Sequence, residues 1–147
     1  MKVDVFTLCD FAKAERGKMT IVGAFNRITA RQAPVVYQLC ALATIMRFEK
    51  IEEGEKNIRV SIIDSDGKPV MPTLQAQMNI QFKTNESSAT VQFVLLIQQI
   101  KLPSFGEYSI DLAIDGRQEA STPLYVKQFQ PPQQPPQQLP PAEPPKE

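Results

Sequence analysis

Phe105-Gly106-Glu107-Tyr108-Ser109-Ile110-Asp111-Leu112-Ala113-Ile114-Asp115-Gly116 is the stretch whose reading decides the fold. Tyr108, Ile110, Leu112 and Ile114 alternate with Ser109, Asp111 and Asp115, the period-two pattern of a β-strand with one buried face. Gly106 punctuates its start. Asp115-Gly116 closes it with a dipeptide that tolerates positive φ, as a tight hairpin requires. Outward from here the chain repeats the same unit: an alternating run, a glycine-containing turn, another run. Such a series of about eight strands predicts an all-β fold, an antiparallel β-sandwich, with a closed barrel as the alternative.

Upstream, Val3 to Phe11 reads as the first strand. It is apolar in part on both sides, so it is either an interior strand or one that changes face at a bulge. Met19 to Ile28 reads as the second, interrupted by Gly23, and a glycine inside a strand marks a bulge or a close backbone approach. Val35 to Phe48 is long and apolar on both faces. Its Leu39–Met46 part has the propensity of a short helix, but it lacks caps and its neighbours are strands, so a central strand is expected. Ile58 to Ile62, Leu74 to Phe82 and Val91 to Ile100 follow, and a last strand ends near Val126.

From Gln128 the material changes. The last 20 residues hold eight of the chain's 13 prolines and almost nothing to bury. Such a segment cannot offset its ordering entropy by packing, so a folded domain over residues 1–127 and a disordered or polyproline II tail over 128–147 are expected.

The 147 residues suffice for one domain with its own core. Lys plus Arg and Asp plus Glu number 16 each, so no basic excess is available to neutralise a phosphate backbone, which argues against nucleic acid as a partner. The absence of histidine removes the commonest general base and the commonest metal ligand. Cys9 and Cys40 sit in apolar runs and are expected to be buried thiols in a reducing cytosol, with a disulfide or redox pair as the alternative. Aspartates interrupt the first ten residues where a signal peptide needs an apolar core, and no run reaches the roughly 18–20 apolar residues of a membrane span. A cytoplasmic protein without a membrane partner is expected.

Few residues carry a chemical signal. There is no Gly-x-Ser-x-Gly elbow, phosphate loop or Cys-x-x-Cys pair, so no enzyme and no cofactor are expected. Asp64-Ser65-Asp66-Gly67 resembles the opening of a calcium loop without its later glutamate. In a sandwich, a second loop could complete the site, with Asp115 or Glu107 as donor. The set Asp64, Asp66 and Asp115 is therefore the candidate metal site, against the plain reading of an Asp-rich hairpin turn. Tyr108, where a late strand begins after a loop, suits a tyrosine corner, whose hydroxyl bonds an upstream carbonyl. In the tail, Pro132 with Pro135 and Pro141 with Pro144 have the Pro-x-x-Pro spacing, the candidate protein-binding residues; a spacer is the simpler reading.

Leu8-Cys9-Asp10-Phe11-Ala12, Gly17-Lys18 and Val22-Gly23-Ala24-Phe25-Asn26-Arg27-Ile28 resemble the opening of an uncharacterised bacterial family. Phe105-Gly106-Glu107-Tyr108, Asp115-Gly116 and Pro123-Leu124 resemble its closing segment. Its members are small proteins of unknown function, and the resemblance, over residues 3–127, implies a C2-like or immunoglobulin-like β-sandwich. These are turn and core residues, so the resemblance brings a fold and no catalytic assignment. The expected function is a non-enzymatic protein-interaction or assembly module; a small-ligand or calcium-binding sandwich using Asp-rich loops at one end is the alternative. Neither the partner nor the oligomeric state is written in the sequence.

Overall fold

A computed structural model describes residues 1–133; residues 134–147 lie outside the described part. Among the described residues, nine strands follow one another. They are β1 (Lys2–Glu15), β2 (Lys18–Phe25), β3 (Arg27–Ala30), β4 (Val35–Glu49), β5 (Gly54–Ile63), β6 (Leu74–Ile80), β7 (Ser88–Leu102), β8 (Gly106–Ile114) and β9 (Arg117–Gln128). A single 3-10 turn, Lys50–Glu52, joins β4 to β5. The strands form two sheets, in the orders β2-β1-β4-β7 and β3-β9-β8-β5-β6, and a shared core separates them. The fold is the all-β sandwich. Among the described residues no helix is long and apolar enough to cross a membrane.

β8 behaves as its alternation requires: Tyr108, Ile110, Leu112 and Ile114 are buried, and Ser109, Asp111 and Ala113 are half-exposed on the outer side. It lies between β5 and β9, where both its edges find partners. The turn after it puts Asp115 at φ 50° and Gly116 at φ 81°, the two positive values of a type I′ hairpin. Arg16 (φ 51°) and Gly17 (φ 74°) join β1 to β2 in the same way. Across the core, Leu42, Met46 and Phe48 of β4 join Val60, Ile62, Ile110 and Leu112 of the second sheet in one cluster, all at most 2% exposed.

The run read as one strand from Met19 to Ile28 is two strands in two sheets. The Asn26 carbonyl accepts the Tyr125 N–H at 2.8 Å, which commits the chain to the second sheet at that residue. β3 then runs parallel to β9, an exception in an otherwise antiparallel structure, because β2 crosses between the sheets without a turn.

β4 is the central strand expected, between β1 and β7, and the reason for its two apolar faces is visible. β1 pairs with β4 only as far as Cys9 and Ala41, while its pairing with β2 continues to Glu15 and Lys18. The outer half of the β1–β2 hairpin is thus an arm. It lies over the solvent side of the four-stranded sheet, where Cys9, Ala12, Ala41 and Ala43 form a second buried cluster with Met19, Ile21 and Val94 against it. These small side chains let the two layers approach closely. At the arm's tip, Gln92 Nε2 on β7 donates to the Gly17 carbonyl at 2.9 Å.

The arm bends at Gly23, whose φ is +67°. A Cβ there would stand 2.8 Å from Asp10 Cγ and closer still to its Oδ2, so the carboxyl of the facing strand occupies the room that the glycine leaves. This is the close approach that a glycine inside a strand implies.

Candidate functional site

Asp64 and Asp66 lie in the turn after β5, where Asp64 Oδ1 accepts the N–H groups of Asp66 and Lys68, each at 2.9 Å. The carboxylate holds its own turn, as Asx geometry does. Asp115 serves another turn: its Oδ1 accepts the Asn57 N–H at 2.9 Å, and its Oδ2 lies 3.7 Å from Lys56 Nζ. Antiparallel pairing sets Ile58 opposite Ile114 and Ile63 opposite Ser109, so Asp115 meets the start of β5 while Asp64 follows its end. Seven residues of strand, about 23 Å, separate the two places. The structure therefore does not bring Asp64, Asp66 and Asp115 to one end. Among the described residues no group of three His, Cys, Asp or Glu side chains is placed to hold a metal ion.

What does approach Asp64 is Glu107, with Ser109 and Ser121, around a concavity of about 530 Å³ on the outer face of the second sheet. Ser109 and Ser121 both donate to Asp111 Oδ1, at 2.6 and 2.7 Å. A second concavity, about 650 Å³, is lined by Asn57, Arg59, Gln75, Gln77 and Asp115. Both are polar hollows on a sheet face, whereas small-molecule sites are mostly apolar clefts with a few polar groups.

The remaining sequence candidates have structural places. Tyr108 is 2% exposed and its hydroxyl donates to the Ser104 carbonyl at 2.7 Å, the bond of a tyrosine corner. Cys9 and Cys40 are free thiols on opposite faces of the four-stranded sheet, one in the arm cluster and one in the main core. Burial pushes the Cys40 thiol up to about 11 and raises Cys9 as well, with neighbouring Asp10 adding to both. Raised thiols of this kind are poor nucleophiles. Pro132 is exposed and outside any strand; Pro135, Pro141 and Pro144 lie outside the described residues.

The feature that sequence reasoning did not single out is the lateral side formed by β6 and β7. Each ends its sheet, and both lie on the side away from the β2–β3 crossing. Part of their core-facing rows is only half-buried, Val91, Phe93 and Leu95 from β7 and Leu74 and Met78 from β6, while Ile97 and Ile80 further along the same rows are buried. In central strands the equivalent positions, such as Leu42 and Leu112, are 0% exposed. Beside β7 on the outer face, Leu96 is 62% exposed and Leu39 is 52% exposed.

β7 is 15 residues long and, among the described residues, pairs only with β4. Proteins ordinarily protect such an edge with charges, prolines, bulges or short strands. Ser88 to Ile100 contains no charged residue and no proline; protection begins with the positive φ of Gln99 (52°) and Lys101. The sequence signal was there, a 13-residue uncharged run, but periodicity alone does not distinguish an edge from an interior strand.

Fold and edge together define a two-sheet β-sandwich with one open lateral side. The chain belongs to a family of unknown function (DUF6941), whose profile matches residues 4–127. Among curated proteins nothing matches.

Proposed function

We propose that this chain is a non-enzymatic protein-interaction or assembly module that works in a reducing, cytoplasmic compartment. The observation that carries the reading is β7: a 15-residue edge strand, uncharged from Ser88 to Ile100, with the half-buried apolar side chains Val91, Phe93 and Leu95 behind it. Unused N–H and C=O groups along such an edge offer main-chain hydrogen bonds to a strand from another chain, and the apolar row offers the area that makes them stable. Two buried free thiols, held on opposite faces of one sheet, suit a compartment in which disulfides do not form.

The test is affinity capture with the full chain and with a Leu96→Lys/Thr90→Lys form, both sites being exposed on β7. Partners, including untagged copies of the chain itself, should be retained by the wild type and lost by the variant while its circular dichroism is unchanged. Equal retention by both forms would refute the edge as the interaction surface.

A further inference from the structure

We propose, resting on the interaction reading above, that the occupant of the β7 edge is β7 of a second copy of this chain, joined antiparallel about a two-fold axis. Such a pairing places each residue's type against a nearby residue of the same strand, so a charged edge would repel itself. Like charges directly across a strand pair destabilise it. From Ser88 to Ile100 there is no charge to repel. The same two-fold brings the half-buried row of Val91, Phe93 and Leu95 against its own copy, so that one contact pairs the edge and covers what remains exposed of the row. The four-stranded sheets would then continue into one another as a single eight-stranded sheet.

The other edges are less suited. β3 has four residues and begins with Arg27, and β6 has seven. β2 begins with Lys18 and is bent at Gly23. The Pro/Gln segment of residues 128–147 is a poor occupant, since eight of its residues are prolines without an N–H to give a ladder. The positive φ of Gln99 and the charge of Lys101 end the usable edge, leaving Ser88 to Gln98 as the paired segment. Gln92 reaches outward to hold the arm on the outer face of β7, and among the described residues no strand other than β4 pairs with β7.

The experiment is sedimentation equilibrium of the full chain from low micromolar to a few hundred micromolar, with amide hydrogen exchange at both ends of the range. The expected result is a species of twice the 16.5-kDa chain mass. Protection rising with concentration should be confined to Ser88–Gln98. The Leu96→Lys/Thr90→Lys form should dimerise at least about tenfold more weakly, a change of roughly 1.4 kcal/mol. Its exposed sites make misfolding an unsuitable explanation, and unchanged exchange elsewhere in the chain checks this. A monomer at every concentration overturns self-pairing; if capture of another protein still depends on the same two residues, the interaction reading survives alone. A dimer that the variant leaves intact, or protection elsewhere, overturns the choice of β7.

Discussion

Gly23→Ala isolates the bend on which the arm depends. Two costs follow from its geometry. A side-chain-bearing residue held at φ +67° is in the left-handed region, which costs roughly 1–2 kcal/mol. The new Cβ would also stand 2.8 Å from Asp10 Cγ, so the carboxyl must leave its rotamer, at about 0.5–1.5 kcal/mol. That second cost is modest because Asp10 is exposed and its carboxyl can turn toward water. Together they predict a loss of about 1.5–3.5 kcal/mol in urea unfolding followed by circular dichroism. In an Asp10→Ala background the carboxyl is gone and only the 3.2 Å approach of the residue-10 Cβ is left beside the backbone cost, so the same substitution should cost less there, near about 1–2 kcal/mol, and the cycle reports the carboxyl contact as the difference. A loss below about 0.5 kcal/mol in the wild-type background would mean that the backbone at residue 23 relaxes freely, contrary to a fixed bend. Equal losses in both backgrounds would remove Asp10 from the explanation.

Other substitutions probe the core and the turns. Tyr108→Phe removes the hydroxyl that bonds the Ser104 carbonyl and should cost about 1 kcal/mol, since Ser104 itself is exposed and water can replace part of the bond; a neutral result by urea melting would show the corner to be idle. Thr44 is 0% exposed on the core side, between Phe6 and Phe93, and its hydroxyl has no partner among the described residues. Thr44→Val should therefore stabilise the fold by about 1–2 kcal/mol, and a lowered melting temperature contradicts this. Asp64→Ala should cost about 1 kcal/mol through the lost turn bonds, equally with and without calcium; a calcium-dependent cost would restore a metal role to that turn. For Cys40, the folded thiol titrates at about 11 against an ordinary 9.0. Its contribution is full below pH 9 and falls as pH rises toward 11, because the unfolded chain ionises first and folding must take the proton back. Unfolding free energy should thus drop more steeply between pH 9 and 11 in the wild type than in Cys40→Ala, and identical slopes would count against the burial argument.

The sequence alone carried most of the fold. Period-two alternation in Tyr108–Ile114, positive-φ chemistry at Asp115-Gly116 and the glycine at 23 are local properties, and each appears where its residues place it. Local signals also indicated that β4 would be apolar on both sides, though not that a hairpin arm supplies the second layer. What only the tertiary structure decided is pairing. Side-chain periodicity reports which face of a strand is buried; it does not record which neighbour takes its backbone hydrogen bonds. For that reason the Met19–Ile28 run conceals a change of sheet at Asn26, and nothing local shows that β5 holds Asp64 and Asp115 apart. For the same reason β7 looked like any other apolar strand. Its uncharged run was legible, but its position at the rim depends on contacts with residues some fifty positions away in β4, and no local pattern encodes them.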